Sequence, residues 1–309
     1  MSDVAIICHG PCGIGYFCEV AELPTQDAGV VADRHGALLV CDAAIVAYLS
    51  SLRFPGQVHL VTNNLGSVEG ESELLRTKLG LGVTIYPDPT PYRGAPIDMI
   101  FIDRRRGTRS FVTTNYYPSG EHILTATRDL YVSLPADRRV VHYVDIEVGS
   151  DSGKAALETV PLLARNSGSL WNLGQVTRLS EAEDWLQGIA LPERAIVQIS
   201  LGNSTVDALE LRSTYQRITS RPNQSLVVTF GMSGAAFVNA TTAEVVGVEA
   251  VSDAFTLGAG AVLAGFLVMA LARDDMPDVR TTISHAVAAA TRYVRDATTV
   301  GDLNGLALW

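Results

Sequence analysis

A chain of 309 residues, 47 % apolar and 18 % charged, can bury one sizeable core and is too apolar for global disorder. Its formal net charge of -10 argues against nucleic acid or an anionic membrane surface as the main partner. The opening residues MSDVAIICHG carry an acid and no basic region, so a secretory signal is not expected and the cytoplasm is.

Val4–Cys8 reads as a central strand ending in the turn HGPCG. GVVADRHGALLVCDAAIVAYLSSLRF passes from an extended piece into a helix with Ala43, Val46, Ala47 and Leu49 on one face. QVHLVTNNLG is a strand and a turn, and SVEGESELLRTKLGLG a helix closed by glycine. VTIYP and APIDMIFIDRRRGTRSFVTT alternate as strands, with a hairpin at Arg106–Gly107. RVVHYVDI then reads as strand, GKAALETVPLLARNSG as helix, SLWNLG as strand, and SEAEDWLQGI as a helix capped by serine. RAIVQISL is a strand, TVDALELRSTYQRI a helix, QSLVVTFG a strand and GAAFVNATTAEVVGVEAV a hairpin. Two helices, Ala261–Ala272 and Val279–Asp296, finish the chain.

This alternation predicts an α/β fold with a mainly parallel, doubly wound sheet and ligands at the carboxyl ends of its strands. Residues 1–309 form one domain, with a small β-rich lid from segments at about 14–36 and 84–118. Ala254–Ala272 has no charged residue, but its Gly258, Gly260 and Gly265 favour a turn and a buried helix over a membrane span. The cysteines Cys8, Cys12, Cys18 and Cys41 fit no zinc spacing and read mostly as small core residues, so no metal held by cysteine is expected. GPCGIG places its glycines at Gly10, Gly13 and Gly15, which is not the dinucleotide pattern.

The chemistry concentrates near the C-terminal third. Gly258-Ala259-Gly260 precedes a long apolar helix, and free amides at a helix start make an anion site. Upstream, VVTFGMSGAAFV is a strand ending in Thr229-x-Gly231-x-x-Gly234 and followed by a hairpin. Strand, T-x-G-x-x-G, hairpin, T-L-G-A-G, helix and alanine-rich helix together resemble the PfkB family, the ribokinase-like carbohydrate and nucleoside kinases. Earlier segments are similar too: ELPTQDAG to a first lid entry, DAAIVAYLSS to the N-terminal signature, IDRRRGTRSF to a lid hairpin. The resemblance implies a three-layer α/β/α sandwich with a β-lid. It also implies ATP and Mg2+, a small sugar-like or nucleoside-like substrate with a hydroxyl acceptor, and a homodimer through lid strands. Gly258, Ala259 and Gly260 would hold the transferring phosphoryl group. Thr229, Gly231, Gly234, Ser200, Asn203 and His285 would border the nucleotide, and Gly15, Gly36, Asp42, Asn64 and Arg109 the acceptor.

Several positions depart from the family pattern. Ala261 stands where the family carries its general base, a group worth on the order of 10² to 10⁴ in rate. Phe255 replaces an acid, Ser200-Leu201-Gly202-Asn203 lacks the carboxylate that organises magnesium, and Gly15, His35 and Asp42 replace substrate-side residues. An engineered exchange or divergence could each account for Ala261, and the other departures favour divergence. As written, the chain is expected to turn over very weakly, and a non-catalytic binder or different chemistry in the same cleft is the alternative.

Plainer roles stand beside these. Asp42 suits a helix N-cap, Arg104–Arg106 and Arg109 a solvated hairpin, His285 a half-buried helix position, Asn63 and Asn64 ordinary turn chemistry.

Overall fold

The computed structural model describes residues 4–24, 28–66, 69–91, 96–106, 108–114, 117–145, 150–163, 168–187, 189, 191–202, 206–219, 221–248, 258–273 and 279–296. Elements follow in chain order as β1 (Val4–His9), β2 (Gly13–Val20), β3 (Arg34–Val40), α1 (Asp42–Arg53), β4 (Val58–Thr62), α2 (Glu69–Leu79) and β5 (Val83–Pro87). Then come β6 (Ile97–Asp103), β7 (Thr108–Thr113), α3 (Gly120–Ser133), β8 (Arg139–Asp145), α4 (Asp151–Leu163), β9 (Gly168–Gln175) and α5 (Leu179–Leu186). The last are β10 (Arg194–Ser200), α6 (Ala208–Ile218), β11 (Ser225–Thr229), β12 (Ala235–Val238), β13 (Ala243–Val246), α7 (Ala259–Leu271) and α8 (Val279–Asp296).

Nine strands form the main sheet in the order β13-β12-β11-β10-β9-β8-β1-β4-β5. From β5 to β11 every pair is parallel, and the β12–β13 hairpin closes one edge antiparallel. The chain order reverses beside β1, so the switch point lies at the carboxyl ends of β1 and β8. Residues of α1, α2, α7 and α8 share one core with one face of the sheet. Those of α3, α4, α5 and α6 cover the other. Helix α7 is apolar on every side because sheet, α1 and α8 enclose it. Among the described residues no helix is long and apolar enough to cross a membrane.

A second sheet, β3-β2-β6-β7, the segments read from sequence as a lid, packs around Phe17, Leu38, Val40 and Ile100. Its tip is an ion-pair network: Arg104 reaches Asp33 at 2.6 Å and Glu19 at 3.5 Å, and Arg105 reaches Glu22 at 2.5 Å. Arg106 lies 3.5 Å from Glu22. Three of the lid arginines therefore serve the lid itself.

The structure departs from the sequence reading in three places. Residues 83–87 pair with β4 in the main sheet, so the second lid arm starts at Ile97 rather than near 84. Helix α3, for which the sequence reading has no element, buries Ile123, Ala126, Thr127 and Leu130 at helical spacing. The cap of α5 is Arg178 and not Ser180, which lies inside the helix, while Glu181 accepts from Thr177 N at 3.2 Å.

Asp88, just past β5, ties that strand to α3. It accepts from Thr90 N at 2.9 Å, Ser119 N at 2.8 Å and Ser119 Oγ at 2.7 Å. Burial pushes its carboxyl up, but the Thr90 and Ser119 bonds outweigh this and hold it down at about 2. Asp88→Ala is expected to cost on the order of 2 kcal/mol in urea unfolding at neutral pH, because three donors lose their acceptor. The Asp88 contribution is complete above the ordinary carboxylate range and fades as pH falls toward about 2.

On the α3 side of the sheet two histidines meet. His9 Nε2 and His142 Nδ1 lie 3.1 Å apart, with Tyr131 Oη 2.6 Å from His142 Nε2 and Thr127 Oγ1 3.5 Å from His9 Nδ1. Burial lowers His9 to about 3, and burial with the His9 charge lowers His142 well below the ordinary range.

Candidate functional site

Strand parity decides what lies beneath α1 and α7. Val141 and Tyr143 of β8, Leu170 of β9 and Ile196 of β10 all pack into that layer. Alternation turns Asp145, Asn172 and Gln198 to the same side. They form one row: Asp145 is opposite Asn172, and Asn172 is opposite Gln198. Farther along, Ser200 is opposite Thr229 of β11.

Asn172 and Gln198 are each 3 % exposed, so their amides need partners inside the protein. Asn172 Nδ2 lies 2.9 Å from Asp42 Oδ2, 3.1 Å from the Tyr143 hydroxyl and 3.3 Å from Asp145 Oδ1. Two amide protons thus serve three acceptors. Asp145 Oδ2 accepts from Ala43 N at 3.4 Å, which places a carboxylate at the start of α1. Burial, with the Asp145 and Asp42 charges beside it, raises the Tyr143 hydroxyl well above its ordinary range. Cys41 enters α1 at φ 72, a conformation that costs a non-glycine residue about 1–3 kcal/mol.

The start of α7 is built differently. Gly258 takes φ 85 and, as the cap residue, brings no side chain of its own, and the first turn holds no acid. The amides of such a first turn and the helix dipole favour an anion there. Gln198 Nε2 donates to the Gly260 carbonyl at 3.3 Å and ties this turn to the row. An added Cβ at Gly258 would lie 3.6 Å from Ile45 Cδ1, so the starts of α1 and α7 lie side by side. One already has a carboxylate; the other is a positive helix end with no acid in its first turn. Among the described residues no group of three or more His, Cys, Asp or Glu is placed to hold a metal ion.

The residues named from sequence separate on this geometry. Gly258, Ala259, Gly260 and Asp42 gather here, whereas Ala261 is fully buried in the core. Ser200 and Thr229 sit together at adjacent strand ends, and Gly231 and Gly234 shape the turn behind them. Gly15 and Gly36 are packing positions of the lid: an added Cβ would meet Val40 at 2.3 Å and Phe17 at 2.9 Å. Asn64 spends its amide on Asp88 O and Thr90 O, both at 2.9 Å, and its oxygen accepts from Gly66 N at 2.8 Å. His285 lies on the exposed face of α8, so the half-buried role does not hold. Arg109 is in β7 with its side chain outside the described residues, as Asn203 and Phe255 are altogether. Cys8 and Cys12 are buried, and burial pushes their thiols up.

Asp145, Tyr143, Asn172 and Gln198 escape the sequence reading. One signal could have found them: a polar residue at an inward position of an otherwise apolar strand, as in VHYVD, SLWN and AIVQIS.

The chain has the ribokinase-like fold. Ribokinase from Thermotoga maritima matches it with a TM-score of 0.66 at 14% identity, over 96% of this chain and 97% of that one. Ribokinase from Giardia lamblia gives 0.69 at 15%, over 94% and 93%. Phosphofructokinase-2 from Escherichia coli, solved with fructose-6-phosphate, gives 0.67 at 12%, over 98% and 96%. No protein-family model matches the sequence, and no curated protein does either.

Proposed function

We propose that this chain is a divergent PfkB-type protein that transfers the terminal phosphoryl group of ATP to a hydroxyl of a small sugar-like or nucleoside-like molecule. The observation that carries the reading is the glycine start of α7, free of acids in its first turn and set beside the row Asp145–Asn172–Gln198 at the carboxyl ends of the strands. ATP supplies the phosphoryl group. The Ala259 and Gly260 amides and the helix dipole hold its charge, which is where positioning and charge stabilisation do most of the catalysis. A magnesium ion needs one or two carboxylates beside substrate phosphates, and Asp145 of the row with Asp42 at the start of α1 would supply them. Thr229 and Ser200 border the nucleotide. The lid covers the acceptor, and its strands pair two subunits; exposed Met99, Phe111 and Val112 on β6 and β7 support this.

No carboxylate stands at position 261, so turnover is slow. Ala261→Asp is expected to raise phosphotransfer by about 10² to 10⁴, read as ADP release against a panel of sugars and nucleosides. It is also expected to lower stability, because Ala261 is fully buried and an acid there must be desolvated. The same burial favours a second reading, a binder without turnover. Calorimetric titration with ATP, with and without magnesium, tests the reading itself. Binding supports a live nucleotide half, and no binding at millimolar ATP removes the kinase reading. Binding without any gain from Ala261→Asp leaves the binder.

A further inference from the structure

Gln198 is anchored by one end only. Its Nε2 donates to the Gly260 carbonyl at 3.3 Å, which fixes which way the amide faces: the reverse orientation would set two acceptor oxygens against each other. Its Oε1 is left buried with no hydrogen-bond partner among the described residues, on a side chain 3 % exposed. A buried acceptor without a donor is costly and rare in native proteins. This one sits beneath the α7 turn, one strand from the Asn172 cluster.

A phosphate cannot satisfy that oxygen, since an ionised phosphate offers acceptors and not donors. A hydroxyl can. We infer that Gln198 Oε1 accepts a hydrogen bond from the hydroxyl of the bound acceptor and holds it against the glycine turn. Gln198 is then a substrate-contacting and positioning residue: it orients the hydroxyl without taking its proton. The inference rests on the phosphotransfer reading for the chemistry but predicts hydroxyl recognition separately from nucleotide binding. Its first consequence is a residue whose removal helps the empty protein and harms the loaded one.

The test uses the full chain with Gln198→Met, close in shape but without the amide, and Gln198→Glu, which keeps an acceptor oxygen. D-ribose, D-fructose, D-glucose and adenosine are the hydroxyl probes, and MgATP is titrated separately. Empty Gln198→Met is expected to keep its Tm or gain about 2 °C, since an unmet acceptor is gone. At least one probe is expected to bind the wild type and to bind Gln198→Met roughly tenfold more weakly. Gln198→Glu is expected to keep that probe while weakening MgATP, because it adds negative charge at the turn; if it fails to fold, Gln198→Met decides. A lower Tm for empty Gln198→Met, equal probe binding in wild type and Gln198→Met, or no probe binding to wild type each overturns the inference. Loss of MgATP binding by the wild type overturns the phosphotransfer reading instead.

Discussion

Shifting the pH from 7.5 to 5.0 is expected to cost the fold about 4 kcal/mol, from His9 and His142 alone. Both rings are buried, and each is hydrogen-bonded as a neutral base in the chain Thr127–His9–His142–Tyr131. The unfolded chain takes up protons near the ordinary histidine value, about 6.5, while folded His9 resists down to about 3. Stability is therefore complete above about 6.5 and falls as pH drops below it, by roughly 1.4 kcal/mol per pH unit for each histidine. Against a typical total of about 5–15 kcal/mol, such a loss is large. Urea midpoints measured across this range should fall steeply, well above the acid range where Asp88 matters. His142→Gln should remove about half of the slope. A variant with the wild-type slope would exclude the pair as its source.

Gly234→Ala is the second large effect, at least about 3 kcal/mol. Gly234 takes φ 108 and ψ -145, a region open essentially to glycine alone and worth about 1–3 kcal/mol of strain for any other residue. Space adds to this, because a Cβ there would stand 2.1 Å from the Val246 carbonyl oxygen, which belongs to backbone and cannot swing aside. Either the β12–β13 hairpin shifts or the turn after β11 opens. Thermal unfolding of the variant measures the loss, and a Tm within a degree of wild type would contradict this packing. Thr229-x-Gly231-x-x-Gly234 is a nucleotide border by resemblance, yet its last glycine is required by the hairpin behind it before any nucleotide is considered.

Much of this protein was readable from its residues. Apolar runs such as VAIIC and RAIVQIS are buried on both faces, and such runs specify central parallel strands wherever they fall. Gly258 before a helix of apolar residues announced both a left-handed turn and an enclosed α7, since backbone freedom and hydrophobicity are local properties. Other outcomes needed the tertiary structure. VTIYP reads as a strand in either sheet, and only pairing with β4 assigns it to the main one. Asp42 suits a cap on sequence grounds, but Cys41 is the cap and Asp42 the first residue of α1; its contact with Asn172 depends on β9 lying two strands from β1. Asp145, Asn172 and Gln198 are far apart in the chain and become a row through strand register alone. Composition and periodicity determine which segments are strands and helices, because those preferences act over a few residues. Which polar ends meet, and which buried oxygen is left without a donor, is decided by long-range pairing that no local preference encodes.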